Sequence, residues 1–289
     1  MAEALGGEIV GCDALQVYRG LDAGTAKPSA AERRVVRHWL VDVADPRRDY
    51  SLADYVGEAD GAIASIAAAG RVPIVVGGTG MYLRGLLKGI VALPPRDETL
   101  RARLHALVAR RGPERVWRIL AARDPGTARR VPPGDRQRVV RALELVFTEG
   151  PLWSERLGRE GSWAASAERY RALKFGIDLE RRALVDRLAD RVDAFFAAGL
   201  VEEVEALLAS GLPPTVNALK AIGYREIVEA LAAGKDPDGT RAAVAAATRR
   251  YAKRQRTWFR REENVTWLDA GEGEERLAAR IVSAWEQAC

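Results

Sequence analysis

Asp13 follows a short apolar run, Glu8-Ile9-Val10, and opens into a stretch of unusual composition: Gly11-Cys12-Asp13-Ala14-Leu15-Gln16-Val17-Tyr18-Arg19-Gly20-Leu21-Asp22-Ala23-Gly24-Thr25-Ala26-Lys27-Pro28. The run reads as a buried strand. Its C-terminal end, where Asp13 stands, is the edge at which open α/β sheets bind ligands. A carboxylate there can take a proton as a general base or hold a metal; a helix cap or a structural ion pair would use the same residue. A second candidate is Gly77-Gly78-Thr79-Gly80, directly after the apolar run Val72-Pro73-Ile74-Val75-Val76. Glycines let backbone N–H groups approach an anion, a helix starting there adds its positive end, and Thr79 brings a hydroxyl. A plain strand-to-helix turn would look the same.

Three further stretches carry charge or aromatic rings in patterns suited to a polyanion. In Asp135-Arg136-Gln137-Arg138-Val139-Val140-Arg141-Ala142-Leu143-Glu144, the three-residue spacing of Arg138 and Arg141 puts both on one helical face. Cations with an amide fit RNA backbone and base edges; a solvated basic face paired with Glu144 is the simpler alternative. In residues 248–261, seven of fourteen side chains are cationic and Tyr251, Trp258 and Phe259 are interleaved with them. Phosphate contact plus base stacking asks for that mixture, and a solvated helix face would not need Trp258 and Phe259, although the rings could still be core. In Ala221-Ile222-Gly223-Tyr224-Arg225-Glu226, a glycine in a helical pattern marks a close approach, a break or a helix start.

The elements that must position these residues alternate. Met1 to Leu5 reads as a last helical turn stopped by Gly6-Gly7. Strands are expected at 8–10, 38–43 and 72–76, with a helix at 52–69 capped by Ser51 and stopped by Gly70, and another at 81–88. Such alternation argues for a parallel sheet with helices on both faces. From Pro94 the pattern becomes purely helical, with helices at 98–111, 113–122 and 135–148. Strand character returns at 172–179. Helices follow at 181–198, 201–210, 218–233 and 240–260, then a strand at 264–268 and a helix at 274–287. The organisation expected is an α/β core from 1–96 and 166–289 with an all-helical insertion at 97–165.

The chain has 289 residues, 48% of them hydrophobic, which is enough for a real core. No apolar run reaches the roughly 20 residues of a membrane span, and the N-terminus lacks the regions of a signal peptide. Cys12 and Cys289 form no disulfide framework or metal spacing, which suits a reducing cytoplasm. The net charge of +5, mostly arginine, suits phosphate and nucleic-acid partners, or reflects a GC-rich coding sequence. A monomer is expected.

Taken together, six ordered segments resemble the tRNA dimethylallyltransferase family, also called isopentenyl-tRNA transferases. They are CDALQVYRGLDAGTAKP, HWLVDVADPRRDYSLADY, VPIVVGGTGMYLRGLL, DRQRVVRALE, ALKAIGYREI and ATRRYAKRQRTWFRR. The resemblance implies a P-loop-type parallel α/β core with a helical insertion. It implies transfer of the dimethylallyl group of dimethylallyl diphosphate to N6 of adenosine 37 in tRNAs reading codons that begin with U, with Mg2+ on the diphosphate. On this resemblance Asp13 is the general base and Thr79 lies beside the reacting centre; both also belong to the tRNA-contacting set. That set further takes in Ala14, Leu15 and Gln16, then Arg101, then Gln137, Arg138, Val139, Val140 and Arg141. It continues with Lys220, Ala221, Ile222, Gly223, Tyr224 and Arg225, and ends with Lys253, Arg254, Gln255, Arg256, Thr257, Trp258, Phe259 and Arg260. The expected partner is the anticodon stem-loop.

Two departures from the family pattern stand out. The 289 residues contain no G-x-x-x-x-G-K-[ST], the family's diphosphate-gripping loop, so weak diphosphate binding and little transfer are expected of this chain. Ala14 stands where the family usually has Ser. Three rival classes remain to be separated: a prenyltransferase acting on free adenine nucleotides, a P-loop kinase, and a non-catalytic RNA-binding protein.

Overall fold

The computed structural model of the chain describes residues 1–90, 94, 96–150, 154–155 and 167–288. They fall into two compact units: an α/β unit, residues 1–87 with 169–289, and a helical unit, residues 88–168.

The α/β unit opens on one helical turn, closed as the Gly6-Gly7 pair suggests. Gly7 N–H bonds Ala2 C=O at 2.9 Å, Gly6 N–H bonds Glu3 C=O at 3.1 Å, and Gly6 takes φ +58°. Strand β1 (Gly7–Gly11) follows. Helix α1 (Ala30–Val35) was not expected, yet its N-terminus is written in the sequence. Ser29 and Glu32 form a reciprocal capping box.

Strand β2 (His38–Trp39) is shorter than the expected 38–43. Leu40 and Asp42 adopt φ +60° and +59°, which takes the chain out of the ladder. Helix α2 (Leu52–Ala68) is capped by Ser51 in a box with Asp54 and buries Tyr55, Val56, Ala59, Ala62 and Ile66 at helical spacing. Strand β3 (Val72–Val76) leads through the GGTG loop into α3 (Gly80–Lys88). The three strands form a parallel sheet in the order β2-β1-β3, with Ile9 opposite both His38 and Ile74. β1 is therefore central, and Asp13 emerges beyond its C-terminal end.

The helical unit contains α4 (Glu98–Arg111), α5 (Pro113–Arg123), the short α6 (Pro125–Ala128) and α7 (Arg136–Glu149). Its core joins Leu104, Val108, Val116, Leu120, Val139, Val140, Leu143 and Val146. The unit runs from residue 88 to 168, slightly wider than the 97–165 read from the sequence. Residues 156–166, the end of that stretch, lie outside the described residues.

The chain then returns to the α/β unit with β4 (Lys174–Asp178), α8 (Arg181–Ala197), α9 (Leu200–Ala209), α10 (Tyr224–Ala232), α11 (Arg241–Phe259), β5 (Val265–Asp269) and α12 (Glu274–Ala288). The helix expected at 218–233 is broken. Ala221 is extended and Gly223 takes φ +94°, so a 3-10 turn at Ala218–Lys220 precedes α10. Pairing is parallel throughout, but among the described residues the strands form two sheets rather than one. β4 pairs only with β5, and the edges of β3 and β4 leave Val76 and Ile177 exposed.

A second core cluster ties the loop after Asp13 to the C-terminal helices. It contains Val17, Tyr18, Leu21, Phe196, Leu200, Leu219, Tyr224, Ile227 and Val244. Among the described residues no helix is long and apolar enough to cross a membrane.

Candidate active site

Asp13 uses its two carboxylate oxygens differently. Oδ1 accepts hydrogen bonds from Leu15 N–H at 2.8 Å and Gln16 N–H at 3.2 Å, closing a turn just past β1. Oδ2 takes no hydrogen bond from the described residues. The carboxylate is thus fixed through one oxygen and available through the other.

The rest of the loop is held by its own side chains. Gln16 donates to Thr25 and Ala26 C=O at 3.1 and 3.0 Å. Lys27, its side chain only 4% exposed, donates to Tyr18 C=O and pairs with Asp22 and Asp42 at 2.7 and 2.5 Å. Arg33 reaches Asp42 as well. Gly24 lies flat against Tyr224, whose ring would stand 2.6 Å from an added Cβ. Tyr224 OH accepts from Gly24 N–H and donates to Glu203, which itself accepts from Asp22 and Ala23 N–H. The glycine and lysine of this stretch are therefore packing and pairing residues that fix the loop on which Asp13 sits.

Thr79 is tied to the residues on either side of Asp13. Its Oγ1 accepts from Ala14 N–H at 3.0 Å, and its N–H donates to Cys12 C=O at 3.1 Å. The backbone N–H of Ala14, the residue directly after Asp13, is thus the donor to the threonine hydroxyl. Beneath them Cys12 is buried, and burial first of all, with the Asp13 charge, pushes its thiol up to about 12.

The GGTG glycines have a cause other than an anion. A Cβ on Gly77 would overlap the Cys12 carbonyl, one on Gly78 would overlap the Gln255 amide, and one on Gly80 would overlap the Trp258 indole. Two of the three therefore make room for α11. Gln255 Nε2 donates to Gly78 C=O at 2.9 Å. Arg84 lies over the Trp258 ring, 4.3 Å from its centroid, and pairs with Glu262. Further along the same helix, Arg256 and Arg260 pair with Asp178 at the end of β4. One helix spans the C-terminal ends of both sheets.

The other candidates separate by environment. In the helical unit Gln137 and Arg138 are exposed on the first turn of α7, whereas Val139 and Val140 are fully buried in its core. Arg101 and Arg141 are part-buried and converge on Glu144 at 3.1 and 2.9 Å; Glu144 is 1% exposed. Burial alone would raise that carboxyl. Hydrogen bonds from Arg141, Asp97 N–H and Arg101 outweigh it and hold the carboxyl below its usual range.

In the α/β unit Lys220 and Arg225 are exposed, Ile222 is half-buried, and Ala221, Gly223 and Tyr224 are buried. Lys253, Arg254, Arg256, Thr257 and Arg260 are exposed, with Gln255, Trp258 and Phe259 half-buried. The α/β unit alone brings Asp13, Ala14, Thr79, Gln255 and Trp258 to one loop cluster.

A sequence profile described as IPP transferase matches residues 16–262. The chain belongs to the IPP transferase family. It is 45% identical to a tRNA dimethylallyltransferase of Geobacter metallireducens over 269 residues, 93% of this chain and 86% of that one. It is 43% identical to a tRNA dimethylallyltransferase of Desulforudis audaxviator over 289 residues, 99% and 92% of the two. Among solved structures, a tRNA isopentenylpyrophosphate transferase from Staphylococcus epidermidis superposes with a TM-score of 0.70 at 30% identity, covering 100% of this chain and 93% of that one. A eukaryotic dimethylallyltransferase acting on tRNA gives 0.76 at 25% identity, covering 93% and 69%. The P-loop-type α/β fold is that of these structures.

Within this IPP transferase fold, two residues that hold the surroundings of the site, Arg84 and Glu203, were not singled out from the sequence. They carried no signal in the sequence, because their partners are distant along the chain.

Proposed function

We propose that this chain transfers the dimethylallyl group of dimethylallyl diphosphate to N6 of adenosine 37 in tRNAs reading codons that begin with U. The observation that carries this is Asp13. In a chain of the IPP transferase family, its carboxylate is pinned through Oδ1 and takes no hydrogen bond at Oδ2 from the described residues, and the N–H of the next residue holds the Thr79 hydroxyl.

The step is a substitution. The N6 lone pair forms a bond to C1 of the dimethylallyl group, the C1–O bond breaks, and diphosphate leaves with that electron pair. N6 becomes positive as it bonds, and its proton passes to Asp13 Oδ2. An exocyclic amine on an aromatic ring is a poor nucleophile, so a base at the nitrogen lowers the barrier. Thr79, tied to Ala14, keeps a hydroxyl at the reacting centre. The target base leaves the anticodon stack to reach this cleft, and stacking and phosphate contacts offset that cost.

The charge distribution favours an RNA acceptor. Residues 88–168 carry 16 Lys and Arg against 10 Asp and Glu, a net +6; the α/β unit carries 29 against 30, a net −1. The whole excess of positive charge thus lies in the helical unit, where Gln137 and Arg138 are exposed. Mg2+ belongs to this reading as the ion on the diphosphate. Among the described residues no group of three or more His, Cys, Asp or Glu is arranged to hold a metal. The reading includes a monomer in the cytoplasm.

The test offers the protein two acceptors, an anticodon stem-loop with adenosine at position 37 and free AMP, with labelled dimethylallyl diphosphate and Mg2+. Label on the stem-loop and not on AMP is expected, built up slowly because these 289 residues contain no G-x-x-x-x-G-K-[ST]. Preferential labelling of AMP, or stem-loop binding with no product, would contradict the proposal.

A further inference from the structure

Glu203 stands in the first turn of α9 and spends both carboxylate oxygens on the loop that follows Asp13. Asp22 N–H donates to Oε1 and Oε2 at 3.1 and 2.9 Å, Ala23 N–H donates to Oε2 at 2.9 Å, and Tyr224 OH donates to Oε1 at 2.6 Å. Tyr224 in turn accepts from Gly24 N–H at 3.1 Å. Three successive backbone donors, at residues 22–24, thus end on one carboxylate, directly or through the phenol. Tyr224 is completely buried, and its ring fills the space that a side chain on residue 24 would need.

This anchor is continuous with Asp13. Gln16 Nε2 donates to Thr25 and Ala26 C=O at 3.1 and 3.0 Å, and Gln16 N–H donates to Asp13 Oδ1 at 3.2 Å. One side chain therefore ties the two limbs of the loop, 13–16 and 22–26. Asp22 is exposed, so water would serve its N–H if Glu203 were absent. What the carboxylate adds at that residue is a fixed place.

We propose that Glu203 is a positioning residue of the transfer reaction, fixing the far limb of the loop and, through Gln16, the direction of the Asp13 carboxylate. The inference rests on the transfer reading above. Asp13 is held through one oxygen on a tight turn, so it swings wherever that turn swings. A displacement of about 1 Å at a reacting centre costs on the order of a hundredfold in rate. Tyr224 serves the same purpose as the bridge between Gly24 and Glu203.

The experiment uses the protein produced from its own gene and the variants Glu203→Ala, Glu203→Gln and Tyr224→Phe, each alone and combined with Asp13→Asn. It reads the single-turnover rate of stem-loop prenylation, the Kd for the stem-loop and the melting temperature. Glu203→Ala is expected to slow transfer by about tenfold to a hundredfold with Kd held. Glu203→Gln still offers an oxygen to Asp22 and Ala23 N–H, so its loss should be smaller. Tyr224→Phe keeps the ring in place, removes only the bridge and should slow transfer in the same way. In the Asp13→Asn background none of the three should cost further rate, because the group they position no longer takes the proton. Any fall in melting temperature should be the same in both backgrounds.

An unchanged rate in Glu203→Ala, a loss that repeats in full beside Asp13→Asn, or a loss confined to Kd would each overturn the inference. If Glu203→Ala does not fold, Glu203→Gln and Tyr224→Phe carry the same comparison. A wild-type protein that prenylates no RNA would overturn the transfer reading and this inference with it. An active wild type with all three variants unimpaired overturns the role of Glu203 alone.

Discussion

Asp13 has one oxygen tied down and one open, and the two substitutions Asp13→Asn and Asp13→Ala separate those duties. Asparagine retains an oxygen for Leu15 and Gln16 N–H but cannot take a proton. Transfer by Asp13→Asn should therefore fall by a factor of about 100 or more while the melting temperature holds. Asp13→Ala should lose the same activity and also about 1–3 kcal/mol of stability, because two backbone donors lose their acceptor; thermal melts of the two variants check this. Cys12 beside it should be inert. With its thiol pushed up to about 12, almost no thiolate exists at pH 8, so iodoacetamide should leave the Cys12 peptide unmodified in the folded protein and alkylate it after unfolding. Rapid alkylation of native protein would show that the thiol is not buried. The type and place of Asp13 were legible in the sequence, because an apolar run ending in a carboxylate marks a strand end. The division of labour between its oxygens was not, since it depends on a turn whose dihedral angles no residue pattern states. Gln255 and Trp258 lay in a stretch read for charge and stacking; their packing on Gly78 and Gly80 appears only when α11 is set against the GGTG loop.

The GGTG loop and α11 explain each other, and the glycines differ in what they tolerate. Gly77→Ala would drive a Cβ into the Cys12 backbone, which has nowhere to go. Gly78→Ala meets the far end of the Gln255 side chain, which can swing away. Gly77→Ala should cost about 3 kcal/mol, and Gly78→Ala less, in denaturant melts. A larger loss for Gly78→Ala would contradict the packing described. The glycine run was legible as a turn, but its reason was not, because the bodies that fill the space, Cys12 and α11, are remote in sequence. Helix boundaries were legible wherever a cap or stop was spelled out, as at Ser51 and Gly70. The one missed helix of useful length, α1, carries its capping box in Ser29 and Glu32. The failures at Leu40, Asp42 and Ala221 are backbone conformations imposed by tertiary contacts. In α7, Glu144 holds Arg101 and Arg141 from within the core of the helical unit. Its carboxyl is held below the usual range, so this pairing stabilises the fold fully above the unfolded carboxyl's pKa and is lost as pH falls through the folded one. Glu144→Gln should cost about 1–3 kcal/mol at pH 7 by removing the buried carboxylate that Arg101 and Arg141 share, although Arg101 keeps Glu98 and Arg141 keeps Pro94 C=O. The gap from wild type should narrow as pH drops below about 4, and melting curves against pH for both chains check it.

On the scale of the whole molecule, chemistry and charge reside in different units. The α/β unit, near neutral at −1, carries Asp13 and Thr79; the helical unit carries the excess of +6. RNA binding should accordingly weaken with salt, and Arg138→Ala should reduce the slope of log Kd against log salt by about one. Affinity that ignores salt would contradict an electrostatic role for that unit. This asymmetry was legible by counting residues once the helical stretch had been recognised, whereas the splitting of the strands into two sheets was not, since all five strands carry the same apolar, parallel signature. The central claim is that Asp13 is the base for a prenyl transfer to tRNA, and the cell's own tRNA reports on it most directly. The gene is deleted in its host and restored either as wild type or as Asp13→Asn, and nucleosides from tRNAs reading codons that begin with U are weighed by mass spectrometry. Adenosine 37 should carry the dimethylallyl group, or a product built on it, with the wild-type gene and be unmodified with Asp13→Asn. Full prenylation of adenosine 37 in the Asp13→Asn strain would contradict the account.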